Sequence, residues 1–256
     1  MREPPVTRAK AIAERVARSL ADQGARAVAI VGSYARGDAT AESDVDLAVI
    51  GDGPHYRLEL HDGLLVSLGW ATAEEQRRRL YDPAYLGTHV PGWRTAIAVY
   101  DPEALAAATR QEARDWVWGQ VEDRCDEWVA ESFTGYAEEM QKLATSIKDG
   151  ERTTASVQRS LLALRLAPVM ALKRRLLYNS ENQLWNILAR ELGAAWTEAQ
   201  SDALGLGGES GEASCTAALR LFALAAEEVR PLLDERQLAV VEHALRRVET
   251  VTALLS

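Results

Sequence analysis

Two aspartates separated by one residue, with a Gly-Ser pair shortly before them, are the residues of this chain best suited to chemistry. Asp44 and Asp46 begin an apolar run, and Gly32 and Ser33 end the preceding one. On a strand, residues two apart project from the same face, with Cα atoms roughly 6.5–7 Å apart. Carboxylates at that separation suit Mg²⁺, which prefers hard oxygen ligands. We therefore predict a divalent-metal site at Asp44 and Asp46.

The Gly-Ser pair stands where an apolar run gives way to a short helical segment. Glycine lets the backbone approach an anion, and the start of a helix offers unpaired N–H groups. Arg36, one turn later, has a planar donor fork that suits phosphate. Taken alone, Gly-Ser also fits a loop with a helix cap, and the aspartates also fit a solvated turn. The short distance between the two halves favours a shared phosphate and metal site.

The elements that must position these residues alternate in type over the first hundred positions and then become uniformly helical. The patterns predict a helix at 6–23, strands at 25–31, 44–50 and 95–101, a hairpin turning at Asp62 and Gly63, and a short helix at 72–81. Beyond residue 102 they predict helices at about 102–116, 119–148, 154–178, 181–193, 213–228 and 231–254. We predict an α+β fold, in which a domain over 1–102 with a mixed β-sheet flanked by helices precedes an α-helical bundle over 103–256.

Composition limits the classes of function. The net charge of −9 argues against a broad nucleic-acid-binding surface, although it does not exclude nucleic acid as a partner. No apolar run approaches the ~20 residues of a membrane span, and the first residues do not resemble a signal peptide. Cys125 and Cys215 fit no metal spacing, and we interpret them as reduced thiols of a cytoplasmic protein.

The stretch "GSYARGDATAESDVDLAV" (32–49) resembles the signature of the polymerase-beta-type nucleotidyltransferase superfamily, in which G-S-x-A-R-G is followed by S-D-x-D-L. The matching positions are Gly32, Ser33, Ala35, Arg36, Gly37, Ser43, Asp44, Asp46 and Leu47. The order of strands up to residue 101 and the helical remainder are also similar to the two-domain aminoglycoside nucleotidyltransferases of the kanamycin-modifying type.

This resemblance implies an enzyme that transfers a nucleoside monophosphate from an NTP such as ATP to an acceptor hydroxyl, releasing pyrophosphate. It assigns the nucleotide to Gly32, Ser33, Arg36 and Ser43, with Arg36 also acting in catalysis. It assigns the metal to Asp44 and Asp46, with two Mg²⁺ ions expected. Positioning and electrostatics would supply most of the catalysis.

The family usually adds a third carboxylate on a nearby strand, and here the corresponding segment "LLVSLGW" has none. The matching position is Ser67 or Leu68. The nearest substitutes are Glu59 and Asp62 on the other arm and turn of the hairpin. We predict Glu59 as the third metal ligand, on the condition that it shares a sheet face with Asp44.

Some relatives use a glutamate on the first long helix of the second domain as the general base. The segment "EWVAESFTGYAEEMQKL" offers four glutamates, of which Glu131 has the most apolar neighbours and is our candidate. The predicted acceptor is a small hydroxylated molecule of the aminoglycoside kind. Two alternatives stay open: a protein or tRNA acceptor, as in toxin–antitoxin or regulatory relatives, and a degenerate, non-catalytic nucleotide-binding protein.

Overall fold

The computed structural model describes residues 5–208 and 211–255 as two compact units. The first unit ends at Val121 and the second begins at Glu122. Within the described residues, no helix has both the length and the apolar character needed to cross a membrane.

The first unit combines a sheet with helices on both of its faces. Its strands are β1 (Ala25–Val31), β2 (Val45–Gly51), β3 (Tyr56–His61), β4 (Leu64–Ala71) and β5 (Ile97–Tyr100). Its helices are α1 (Pro5–Ala21), α2 (Gly32–Arg36), α3 (Ala73–Arg79), α4 (Leu86–Thr95) and α5 (Leu105–Asp115). A mixed sheet with flanking helices was predicted for this part of the chain, and the structure confirms it.

The five strands are ordered β3-β4-β2-β1-β5. The β2–β4 pair is parallel and every other neighbouring pair is antiparallel. The β3–β4 hairpin turns at Asp62 and Gly63, as predicted, and both residues adopt positive φ angles of 51° and 79°. This turn suits the right-handed twist of a two-residue hairpin.

The apolar stripe of α1 covers one face of the sheet. Five residues of that stripe are buried: Ala9, Ile12, Ala13, Val16 and Leu20. They pack in one cluster with Val45, Leu47 and Val49 of β2, which are at most 2% exposed. Strand alternation therefore leaves Asp46 and Ala48 on the other face.

Two features of this unit differ from the sequence-based expectation. Helix α4 was not predicted, because its glycines and Pro91 are poor helix formers; burial of Leu86, Val90 and Trp93 stabilises it instead. Helix α5 was assigned to the helical part beyond residue 102, but it packs on α3, α4 and β1 and belongs to the first unit.

The second unit is helical. It consists of α6 (Glu122–Lys148), α7 (Arg152–Lys173), α8 (Glu181–Leu204), α9 (Gly211–Val229) and α10 (Glu235–Leu255). Phe133 of α6 and Phe222 of α9 stack at 4.8 Å between ring centroids in its core. Gly193, at φ 79°, interrupts α8 at the residue where the predicted helix was expected to end.

Candidate active site

The two signature aspartates lie at the start of the central strand β2. Asp44 immediately precedes the strand and is exposed, whereas Asp46 lies within it and is partly buried. Asp46 stands opposite Val31, the last residue of β1, in the antiparallel register. This pairing brings the carboxylate to the corner where β1 turns into α2.

Gly32 forms that corner and lies directly against Asp46. It has φ +67°, a conformation that favours glycine. A Cβ atom added at Gly32 would overlap the Asp46 Oδ2 and lie 3.0 Å from its Cγ. The glycine is therefore required both by the backbone conformation and by the space that the carboxylate occupies.

The neighbouring strand β4 contributes a hydroxyl group to the same carboxylate. Ser67 is in register with Asp46, and its Oγ donates a hydrogen bond to Asp46 Oδ1 at 2.7 Å. Ser67 was one of two positions that matched the missing third carboxylate. The bond to Asp46 could not be foreseen, because it depends on the β2–β4 register.

The pKa of Asp46 is raised above its ordinary value. Burial is the main cause, since it removes the charged form from water. The hydrogen bond from Ser67 acts in the opposite direction, the charge of Asp44 raises the pKa further, and the charge of Arg36 lowers it. The site therefore holds an incompletely compensated carboxylate, which a bound cation would stabilise.

The other predicted nucleotide ligands lie on and after α2. The Ser33 carbonyl accepts the N–H groups of Gly37 and Asp38, which ends the helix. The largely buried side chain of Arg36 pairs with Asp38 at 3.1 Å. The Ser43 hydroxyl accepts the Thr40 N–H at 2.9 Å, and so shapes the turn that leads to Asp44.

Glu59 does not join the aspartate pair, and the structure corrects this prediction. In the hairpin Glu59 pairs with Val66, which pairs in turn with the buried Val45. Paired residues share a face, so Glu59 lies on the α1 side of the sheet, opposite to Asp46. Its carboxylate contacts Arg57 and His61 there, each at 2.6 Å.

The donor set that remains fits a divalent ion held by two carboxylates. Asp44 and Asp46 offer hard oxygens beside Gly32, whose missing side chain leaves room for the Asp46 carboxylate. Among residues 5–208 and 211–255, no cluster of three or more His, Cys, Asp or Glu side chains forms a metal site. Within the described part of the chain, the site therefore has two carboxylates.

Glu131, the candidate general base, lies on α6 in the second unit. Its side chain is exposed, although its neighbours Val129 and Phe133 are fully buried. Glu131 and Glu127 both line a groove between α6 and the start of α10. The apolar neighbours identified in the sequence therefore face the helical core and do not surround the carboxylate.

An apolar strip on the β3–β4 hairpin was not anticipated from the sequence. By strand alternation and register, its members share the sheet face of Asp46 and Ser67. They are Tyr56, Leu58, Leu60 and Leu65, which are between 48% and 70% exposed. Large apolar side chains grouped on one surface are unusual for a strand in contact with water.

The sheet, the glycine corner and the aspartate pair are the features of a nucleotidyltransferase domain of the polymerase-beta type. Residues 12–115 match the family model described as "Nucleotidyltransferase domain". This stretch is therefore a nucleotidyltransferase domain, as the signature predicted.

In three dimensions the chain is similar to a nucleotidyltransferase-like protein from Exiguobacterium sibiricum 255-15, known from a crystal structure. The TM-score is 0.53 at 16% identity, and the similarity covers 85% of this chain and 74% of that one. At this identity the likeness shows the fold alone. Among curated proteins, none matches this sequence. The narrower resemblance to aminoglycoside-modifying enzymes is not confirmed by these comparisons and stays a prediction.

Proposed function

We propose that this protein transfers a nucleoside monophosphate from an NTP to a hydroxyl group of a small acceptor and releases pyrophosphate, with Mg²⁺ as the metal. The observation that carries the proposal is the contact between the Asp46 carboxylate and Gly32. This contact places a carboxylate that can bind a cation beside a glycine whose backbone can approach a phosphate. A triphosphate with its metal ion needs both.

The chain's own residues divide the work of binding. Gly32 and Ser33 hold the β- and γ-phosphates, and Arg36 and Ser43 complete the nucleotide side. Asp44 and Asp46 hold the metal. When bound, Mg²⁺ supplies charge neutralisation at the triphosphate oxygens. The chain order supports the proposed assignment: Asp44 and Asp46 begin β2, and Arg36 ends α2, the helix that starts at Gly32.

The reaction is an in-line displacement at the α-phosphorus. The acceptor oxygen forms a bond to that phosphorus, and the bond from phosphorus to the oxygen bridging to the β-phosphate breaks. Pyrophosphate leaves with the bonding electrons, and the hydroxyl proton passes to a general base. Orientation of the acceptor against the phosphorus supplies a large part of the rate enhancement.

The family resemblance alone supports Glu131 as the general base, since its carboxylate is exposed in the structure. General-base catalysis by a carboxylate contributes typically 10²–10⁴-fold. Glu131→Gln is thus expected to lower kcat by at least about 100-fold with little change in the KM for NTP. Glu127→Gln is the matched control, because Glu127 is also exposed on α6 beside the same groove. Equal activity of the two variants would remove Glu131 from this role.

The acceptor is proposed to be small, hydroxylated and cationic, of the aminoglycoside kind. The support is the net charge of −9, which favours cationic molecules over polyanions. One observation favours a second candidate, a nucleotide-binding protein without transfer: Ser67, one of the two positions that match the family's usual third carboxylate, is the residue in register with Asp46. A protein or tRNA acceptor is the remaining alternative within the same chemistry.

The test is transfer of label from α-³²P-NTP in the presence of Mg²⁺, with small polyhydroxylated amines, protein and tRNA offered as acceptors. Asp44→Asn and Asp46→Asn are each expected to lower transfer by at least about 100-fold. Asp52→Asn, an exposed aspartate just beyond the other end of β2, is the matched control and is expected to keep full activity. Full activity in both signature variants would refute the proposal, and NTP binding without any transfer would favour the second candidate.

A further inference from the structure

The position of Ser67 bears on how many metal ions the site holds. This inference rests on the proposed function and concerns the metal that accompanies the NTP. Asp46 and Ser67 are adjacent on β2 and β4, and Ser67 is only 9% exposed. The residue facing the metal ligand from the neighbouring strand is therefore a neutral hydrogen-bond donor.

The two carboxylates of the hairpin, Glu59 and Asp62, bind partners on the side of the sheet opposite to Asp46. Glu59 lies on the α1 face, where it pairs with Arg57 and His61. Asp62 at the hairpin turn accepts a bond from Arg15 of α1 at 2.6 Å, and its carbonyl accepts one from Arg8. Glu59 could reach Asp46 only if its strand turned its other face to the site. Asp62 could do so only if it gave up its bonds to α1.

The two oxygens of Asp46 consequently have different surroundings. Oδ1 accepts the Ser67 hydroxyl, whereas Oδ2 lies against the Gly32 corner. The hydrogen bond fixes the rotation of the carboxylate, as outer-shell donors do for metal-binding groups. Oδ2 is thereby the oxygen that Asp46 presents at the corner.

The number of carboxylates gives a second argument. Two-metal sites hold their ions ~3.5–4 Å apart, where mutual repulsion must be offset by further anionic ligands. On the protein side those ligands are absent from the described residues.

We propose that the site binds one divalent ion with the NTP instead of two, and that Ser67 is a positioning residue that orients Asp46 toward that ion. A carboxylate at position 67 would create a second ion site, which the described residues do not provide. The role of Ser67 depends on its hydroxyl group, so threonine is expected to replace it and alanine is not.

The test counts Mn²⁺ ions by electron paramagnetic resonance, with one equivalent of a non-hydrolysable NTP analogue per chain. The wild type and Ser67→Thr are expected to bind one ion with similar affinity. Ser67→Ala is expected to bind one ion about 10-fold more weakly, and Ser67→Asp to bind two. Leu60→Asp is the matched control, because it adds a carboxylate to the same face at an exposed position farther from Asp46. This variant is expected to bind one Mn²⁺ ion.

The outcomes separate this inference from the proposed function. Two ions of comparable affinity in the wild type would overturn the single-ion proposal and leave nucleotidyl transfer standing. Unchanged affinity in Ser67→Ala would overturn the positioning role. No Mn²⁺ binding by the wild type with the analogue would refute the proposed function itself. The wild-type count and the alanine variant decide the question even if Ser67→Asp does not fold.

Discussion

At the scale of single residues, the space around Gly32 leads to the first prediction. Gly32→Ala is expected to lower nucleotidyl transfer by at least about 100-fold, because the new Cβ overlaps Asp46 Oδ2 and displaces the carboxylate. The positive φ adds strain of roughly 1 kcal/mol. Steady-state kinetics and urea denaturation measure the two effects separately.

Gly37→Ala is the control for that substitution. Gly37 also has a positive φ, +85°, but a Cβ at this position meets no atom within 4 Å. The variant is expected to lose comparable stability and to keep most of its activity. If both variants lose activity equally, backbone strain in α2 is responsible, and overlap with Asp46 is not.

The sequence allows the aspartate pair to be predicted more securely than its neighbours. Alternation along a strand is local, so Asp46 and the buried residues beside it can be assigned to opposite faces from spacing alone. The face of Glu59 depends instead on the register of the hairpin with β4. Because a one-residue shift in register reverses every side chain, no local pattern decides it. The bond between Ser67 and Asp46 has the same long-range origin.

At the scale of elements, α4 shows how tertiary packing overrides local preference. Its sequence, "LGTHVPGWRT", contains two glycines and a proline, which disfavour a helix. Two hydrogen bonds to Gln76 connect α4 to α3. His89 Nε2 donates to the Gln76 backbone carbonyl at 2.9 Å, and Trp93 Nε1 donates to the Gln76 side-chain oxygen at 3.3 Å. The helices α6 to α10 of the second unit, by contrast, follow from long apolar periodicity and were predicted. The exception is the part of α8 that continues beyond the predicted end at 193 to Leu204.

The connection between α3 and α4 makes stability depend on pH. Burial lowers the pKa of His89 from 6.5 to about 4 in the folded protein. Between these values the unfolded chain binds a proton that the folded chain does not, so the free energy of unfolding falls as pH falls from about 6.5 to about 4. The expected loss is roughly 1–3 kcal/mol, because the ring is only partly buried. Urea denaturation at a series of pH values measures it.

His89→Gln is expected to flatten the pH dependence in that range, since glutamine can donate a hydrogen bond without titrating there. His55→Gln provides the control, because His55 is exposed before β3 and its replacement should leave the slope unchanged. A His89→Gln variant with the wild-type slope would show that other groups cause the acid sensitivity.

At the scale of the whole molecule, ligand binding is expected to stabilise the two units unequally. A ligand at 100 times its Kd adds about 2.7 kcal/mol to the unit that binds it. The aspartate pair and the glycine corner belong to the first unit. Mg²⁺ with a non-hydrolysable NTP analogue should therefore raise the Tm of that unit by several degrees.

Calorimetry of the full chain tests this prediction, since two compact units can unfold in separate transitions. Asp46→Asn should lose most of the shift, whereas Asp52→Asn should keep it. A shift confined to the transition of the second unit would place nucleotide binding among the helices and contradict the site described above.

The hairpin at the edge of the sheet has a practical consequence for the molecule in concentrated solution. The outer side of β3 carries main-chain groups that no strand pairs within the described residues, and Leu58 and Leu60 stand exposed along it. Such an edge acts as a template on which another polypeptide can add. Crowding during overproduction should therefore drive the chain into aggregates that begin at this strand. A lysine in place of Leu60 is expected to raise the solubility limit at constant Tm, as light scattering during concentration would reveal.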